Sequence, residues 1–285
     1  MSTIAQALQA ARGKLIASEA RLLLGHVVER PAVWLLAHDD TKLTENQLTL
    51  FAALCGRRQN GEPIAYLLGT REFYGREFRV APGVLIPRPE TELLVEIALE
   101  KVGVTEGNPL LGTGGTALER PRVLDLGTGS GCIAISIALE CPRCAVVAVD
   151  ASPAALEIAT DNAQHLNANV RFLASDWFAA LNEDRFALVV SNPPYIAAAD
   201  RHLAQGDLVH EPISALASGD DGLDAIRHII ANATRFLQPG GSLWLEHGYD
   251  QAIAVGELLC AAGFVMIEQH KDLAGIVRVS GGALR

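Results

Sequence analysis

The tetrapeptide Asn192-Pro193-Pro194-Tyr195 follows the apolar run FALVVS, and its residue types suit the gripping of a planar NH2 group. Two adjacent prolines cannot continue a helix or donate to a sheet, so the segment is not regular structure. The side-chain oxygen of Asn192 can accept one N–H. The carbonyl of Pro193, held by proline's fixed φ, can accept the other. An amide or aniline-like nitrogen is a poor nucleophile because its lone pair is delocalised. With both hydrogens pinned, such a nitrogen is aimed for in-line displacement, and the positive charge developing on it is stabilised. Tyr195 adds a ring face on which a planar group can lie, with cationic character nearby. The bland alternative is a proline-rich turn after a strand.

An electrophile must stand opposite that nitrogen, and the run VLDLGTGSGC points to one. Gly127, Gly129 and Gly131 follow an apolar strand and open a helix, which lets the backbone turn tightly and approach a ligand. Asp150 ends the next strand, where its carboxylate can accept two hydroxyls of a ribose. A tight turn beside a solvated acid is the plainer reading of either feature alone. Strand, helix and strand-terminal acid together favour a nucleoside. The pattern is GxGxG followed by Cys132, not the GxGxxG of dinucleotide sites. Asp125 beside the glycines suits a positive charge and an amino-acid tail better than a phosphate. S-adenosylmethionine is therefore the favoured ligand. Within Ser175-Asp176-Trp177-Phe178, Asp176 offers a carboxylate for an exocyclic amine and Trp177 a surface for the adenine ring, although core packing would also explain the tryptophan.

These residues need a scaffold, and the hydrophobic pattern supplies one. Residues 1 to about 60 read as helices, with Thr44, Glu45 and Gln47 marking a helix start. EFYGREFRVAPGVL, residues 72–85, reads as a hairpin around Gly75, and ETELLVEIALEKV resumes a helix. GVTEGNPLLGTGGTALERP, residues 103–121, has no steady period and reads as a linker. Beyond it, short apolar strands alternate with amphipathic helices, including a helix at about 222–237 and a strand SLWLEHG. That alternation predicts an α/β fold with a parallel sheet covered on both faces. FVMIEQH and GIVRVSG lie too close for a helical crossover, so the final strand is expected to be antiparallel to its neighbour. The expected domains are 1–70, helical; 71–88, a linking β-hairpin; and 89–285, the catalytic α/β domain.

Composition excludes less than it permits. The 285 residues are 49% hydrophobic and 20% charged, with a formal net charge of -10, which lowers the expectation of a nucleic-acid partner. No apolar run reaches the length of a membrane span, and the start MSTIAQALQAARGK does not resemble a secretory signal. Five cysteines do not suggest a disulfide framework, so a cytoplasmic protein is expected. Cys141 and Cys144 form a single CxxC without a second ligand pair, so no metal site is expected. Glu211, Glu246 and His247 are polar residues whose roles the sequence leaves open.

The ordered set PIAYLLGTREFYG, LIPRPETELLVE, VLDLGTGSGCIAISIA, SDWF, VVSNPPYI, EPISALASGDDGL and KDLAGIVRV resembles the protein-(glutamine-N5) methyltransferases of peptide chain release factors, the HemK or PrmC family. The resemblance spans nearly the whole chain. It implies a seven-stranded Rossmann-like class I methyltransferase sheet with a small N-terminal helical domain that helps dock the release factor. It also implies that Gly127, Thr128, Gly129, Ser130, Gly131, Asp150, Trp177 and Asn192 touch S-adenosylmethionine. Asn192, Pro193, Pro194 and Tyr195 would hold the glutamine of a Gly-Gly-Gln motif. The competing reading is an adenine-N6 methyltransferase acting on DNA or RNA, because adenine also carries a planar NH2. The acidic charge, the helical N-terminal domain and the RPETE segment favour a protein substrate.

Overall fold

Residues 2–103 and 120–285 are described by the structure, a computed structural model. The interior of the linker expected at 103–121, with its GTGGT run, lies outside the described residues. The chain divides into two units, Met1–Arg71 with Ala204–His210, and Glu72–Leu203 with Glu211–Arg285.

The first unit is helical. Helix α1 (Ile4–Ala11) starts where Thr3 and Gln6 cap each other reciprocally, the hydroxyl accepting from the Gln6 N–H and the Gln6 side chain from the Thr3 N–H. Helices α2 (Ala17–Val28) and α3 (Ala32–Ala37) follow. Helix α4 (Glu45–Gln59) begins at Thr44 with the same reciprocal cap through Gln47, as expected from the sequence. The short α5 (Ile64–Leu68) completes the set. Their apolar faces meet at Ile4, Leu23, Leu24, Leu35 and Phe51. Each such burial stabilises the unit by about 1.5–3 kcal/mol.

The hairpin strands β1 (Thr70–Phe73) and β2 (Arg76–Arg79) turn at Gly75, and α6 (Glu92–Lys101) follows a 3-10 turn at Pro89–Thr91. Then come β3 (Arg122–Leu126), α7 (Cys132–Glu140), β4 (Ala145–Asp150), α8 (Pro153–His165), β5 (Val170–Ala174), β6 (Phe186–Ser191), α9 (Asp224–Ala233), β7 (Leu237–Glu246), α10 (Ala252–Ala261), β8 (Phe264–Lys271) and β9 (Val277–Leu284). The seven-stranded sheet has the order β5-β4-β3-β6-β7-β9-β8. Strands β3 to β7 are parallel, and β9 inserts antiparallel between β7 and β8. Alternation along the strands sends Val123, Val146, Leu188 and Val190 against α6 and α7, and Leu124, Val147, Val189 and Leu243 against α9 and α10. Both faces are thus covered, which explains why the strands read as nearly continuous apolar runs. The chain winds outward from β3 through β4 to β5 and then returns to β6 on the other side of β3. The carboxyl ends of β3 and β6 therefore flank the crevice where open α/β sheets bind ligands.

Two expectations need correction. Helix α9 ends at Ala233, not near 237, because Leu237 already pairs with Phe186. Strand β7 accordingly starts earlier than SLWLEHG, and the pairing shifts register between Phe186 and Leu188 where Pro239 cannot donate and Gly240 adopts φ 76. Cys141 and Cys144 form a disulfide with Cα atoms 5.5 Å apart, where the sequence suggested none. The CxxC spans the α7–β4 junction, and a turn this short brings the two sulfurs together. Among the described residues, no helix is long and apolar enough to cross a membrane and no group of side chains has metal-ligand geometry.

Candidate active site

Strand β3 delivers its chain into a turn closed by its neighbour: the N–H groups of Gly127 and Thr128 both donate to the carbonyl of Val149, each at 2.9 Å. Gly127, Gly129 and Gly131 all have positive φ (70, 55 and 82), so the sharp turn into α7 uses conformations that side chains disfavour. At Gly129 an added Cβ would meet nothing within 4 Å, whereas at Gly127 it would touch the Trp177 ring at 3.7 Å. The backbone of the turn is therefore open on one side and roofed by an indole on the other.

Asp150 does more than end β4. Its Oδ2 accepts from the Gly129 N–H and its Oδ1 from the Ser152 N–H, both at 2.8 Å. Each oxygen keeps a further lone pair for a ligand hydroxyl. Asp125 is fully buried, with Oδ2 accepting from the Thr128 hydroxyl at 2.6 Å and Oδ1 without a well-formed hydrogen bond. Burial, countered by Thr128 and the Ala134 N–H, pushes its pKa up to about 7. Thr128 and Ser130 are themselves buried. Asn162 on α8, which the sequence reading missed, holds this turn from behind by donating to Ser130 O at 2.9 Å and Arg79 O at 3.0 Å. Trp177 adopts φ 48 and is half-buried, while Asp176 is exposed. The Ser175 hydroxyl stabilises this irregular turn by donating to Trp177 O and accepting from the Ala180 N–H.

The second cluster leaves β6. Register places Ser191 opposite Leu126, and the Ser191 hydroxyl donates to Leu126 O at 2.7 Å, so Asn192 emerges directly beside the glycine turn. The Asn192 Nδ2 donates to the Thr91 hydroxyl at 3.0 Å, which leaves Oδ1 as the group it presents. The Pro193 carbonyl accepts no hydrogen bond from the described residues. Downstream of Pro194, the Tyr195 hydroxyl donates to Glu246 Oε1 at 3.2 Å. Burial and the Glu246 charge raise the phenol's pKa, so the group is a neutral donor. The segment after Tyr195 is clamped: Ile196 pairs with Ala217, and Gln251 Nε2 donates to Tyr195 O at 2.9 Å. Gly222 is needed here, because a Cβ would lie 2.2 Å from Tyr195 O.

Acids that the sequence left without roles now have partners. Glu211 accepts from the Ile86 N–H at 2.9 Å and pairs with Arg88, which fixes the segment leading to Thr91. Glu246 is buried at the end of β7, and its Oε2 has no well-formed hydrogen bond. Burial raises its pKa to about 7 against the pull of Thr91, Tyr195 and Arg278. His247 donates from Nδ1 to Gly248 O (2.9 Å) while Nε2 accepts from Ser280 (2.8 Å), and burial lowers its pKa, so it is a neutral packing group. Thr91 was the least legible member of the set, its only signal being its place in RPETE.

The arrangement brings the glycine turn after β3 and the Asn-Pro-Pro-Tyr segment after β6 to one crevice. Residues 2–69 match the PrmC N-terminal domain family and residues 108–253 the methyltransferase small domain family. The release factor glutamine methyltransferase of Bordetella pertussis is 52% identical over 93% of this chain and 94% of its own. The chain belongs to the release factor glutamine methyltransferase family. The Escherichia coli (strain K12) member is 44% identical over 93% of this chain and 91% of its own. A 16S rRNA methyltransferase of T. thermophilus, solved with AdoMet and guanosine, shares the fold at TM-score 0.53, with 22% identity over 76% of this chain and 50% of that one. For this family member the likeness extends through both units.

Proposed function

We propose that the protein transfers a methyl group from S-adenosyl-L-methionine to the side-chain amide nitrogen (N5) of the glutamine in the Gly-Gly-Gln motif of a peptide chain release factor. The observation that carries this reading is the Asn192 carboxamide, whose Nδ2 is committed to Thr91 so that Oδ1 stands free beside the unpaired Pro193 carbonyl. Two acceptors side by side match the two hydrogens of an NH2.

The other half of the site fits the methyl donor. The buried Oδ1 of Asp125, which has no well-formed hydrogen bond, suits a cationic ligand, and the carboxylate of Asp150 retains lone pairs for ribose hydroxyls. Gly129 admits the ligand to the backbone, Gly127 and Gly131 let the turn pack against Trp177 and against Ile135 and Ala159, and Trp177 with Asp176 would border its base. When bound, the cofactor supplies a methyl carbon made electrophilic by the sulfonium. Asn192 and Pro193 then hold the amide nitrogen with both hydrogens engaged and stabilise the charge growing on it. Pro194 keeps the two acceptors rigid, and the ring of Tyr195 flanks the planar group. The nitrogen sheds a proton readily once alkylated, so the residues need supply no metal and no strong base.

In this reading residues 1–70 dock the release factor, 71–88 link, and 89–285 catalyse, in the cytoplasm and without a nucleic-acid substrate. Labelled S-adenosylmethionine offered separately with release factor, DNA and RNA tests it. Label confined to release-factor glutamine supports the proposal, and label on adenine would replace it with adenine-N6 methylation.

A further inference from the structure

A proline cannot be held by its nitrogen. Pro193 and Pro194 carry no N–H to donate, so the direction of the Pro193 carbonyl has to be set from the two ends of the segment. Upstream, Ser191 pairs in the sheet and its hydroxyl donates to Leu126 O at 2.7 Å. Downstream, the peptide unit joining Tyr195 to Ile196 is held at both poles. Its N–H donates to Leu216 O at 2.9 Å, and its carbonyl, that of Tyr195, accepts from Gln251 Nε2 at 2.9 Å.

Gln251 is buried at the N-cap of α10, yet its side chain makes no capping bond to that helix. The amide joins three loops instead. Nε2 donates to Tyr195 O and, at 3.3 Å, to Asp221 O, while Oε1 accepts from the Gly248 N–H at 2.8 Å. One N–H and two carbonyls permit a single orientation of the amide. Two glycines make room for it. A Cβ at Gly222 would lie 2.8 Å from Gln251 Nε2, and one at Gly248 would lie 3.0 Å from Gln251 Oε1.

We propose that Gln251 is a positioning residue for methyl transfer: by gripping the Tyr195 carbonyl it fixes the downstream end of the Asn-Pro-Pro-Tyr segment and so aims the Pro193 carbonyl. The inference rests on the proposed amide acceptor. The rings of Pro193 and Pro194 fix φ, so few free torsions separate the clamp from the carbonyl it aims. A displacement at Tyr195 is therefore carried back to Pro193. Without the amide, the Tyr195 and Asp221 carbonyls and the Gly248 N–H each lose a partner, and the three loops are no longer tied together. None of these bonds reaches the glycine turn, so the effect should fall on aiming and not on cofactor binding.

Single-turnover transfer at saturating S-adenosylmethionine and release factor tests the clamp. Gln251→Met, of similar length but unable to donate, should slow transfer about 10- to 100-fold, the scale of a misplaced reacting group. Cofactor affinity and the release-factor KM should stay within about threefold, a split that a general loss of folding would not give. Gln251→Glu still accepts from Gly248 but sets a carboxylate against two carbonyls, so it should be at least as slow. A Gln251→Glu variant as fast as wild type, or a Gln251→Met variant within about threefold of it, would overturn the proposal. If Gln251→Met does not fold by circular dichroism, Gln251→Asn takes its place, with an amide one methylene short of Tyr195. A readout independent of the acceptor is deuterium exchange of the free protein. In the variant, the N–H groups of Ile196 and Ala198, bonded to Leu216 O and Gly219 O, should exchange at least about fivefold faster, with the glycine turn unchanged. Unchanged exchange at Ile196 and Ala198 would refute the clamp even if release-factor glutamine is methylated. Faster exchange with the methyl label found on adenine would refute only the choice of acceptor.

Discussion

The glycine turn gathers Asp125, Thr128 and Gly129 from one short run, with Asp150 only 21 residues further on. The acceptor trap instead joins Asn192 to Thr91 across 101 residues and Tyr195 to Glu246 across 51. Each half contains a buried carboxyl raised to about 7 with one oxygen lacking a well-formed bond. They are placed differently. Asp125 keeps its less-bonded oxygen in the turn that a cationic ligand would approach, whereas Glu246 accepts from the Tyr195 hydroxyl. On the proposed function one half binds and the other aims, and the two should then fail in different ways.

The largest expected effect is on aiming. Asn192→Ala should reduce transfer at saturating cofactor by at least about 100-fold, because the nitrogen loses the group that orients it. Rapid-quench measurement of a single turnover reads this directly. Binding should be hit next hardest through Asp150→Ala, since charged hydrogen bonds are worth about 1.5–3 kcal/mol each. Loss of two such bonds to ribose should weaken cofactor affinity about 100-fold or more by calorimetry. The Gly129 and Ser152 N–H groups also lose their acceptor, so the turn itself should loosen. An unaltered affinity would remove Asp150 from the binding half.

A pH effect comes third. Asp125 is raised by burial from 3.8 to about 7. The stability associated with its protonated form is therefore fully present below the ordinary carboxyl range and is lost as pH rises through about 7. A cation beside it favours the carboxylate, so cofactor affinity should rise across the same window by at most about tenfold per pH unit. Asp125→Asn should flatten both trends relative to wild type, in thermal melts and in calorimetry. The paired comparison separates Asp125 from Glu246, which titrates in the same range. The smallest effect belongs to Tyr195→Phe, expected to slow transfer only about 2- to 5-fold because the ring remains and one hydrogen bond is lost. Tyr195→Ala should be much slower. Equal damage from both variants would make the phenol, not the ring, the working part.

The local half was readable because its residues follow one another along the chain. GxGxG after a strand, with an acid ending the next, requires no knowledge of packing. The parallel sheet was likewise implied by alternating strands and helices, and the antiparallel last strand by a connection too short for a crossover. What the sequence concealed depends on three-dimensional adjacency. Thr91 in RPETE has no visible chemistry until α6 brings it to the end of β6. Asn162 reads as an ordinary polar residue of an amphipathic helix, yet it is buried and holds both the glycine turn and the hairpin. Glu246 reads as the polar end of an apolar strand. The start of β7 was misplaced because a Pro-Gly-Gly run looks like a loop, while in the sheet it is a bulge that keeps pairing with β6.

The division of labour is tested most directly by single-turnover transfer to the release factor at saturating S-adenosylmethionine, with Asp150→Ala and Asn192→Ala assayed side by side. If one half binds and the other aims, excess cofactor should bring Asp150→Ala to within about tenfold of wild type and leave Asn192→Ala at least about 100-fold slow. Two variants that recover together, or that both stay inactive with cofactor bound, would contradict it.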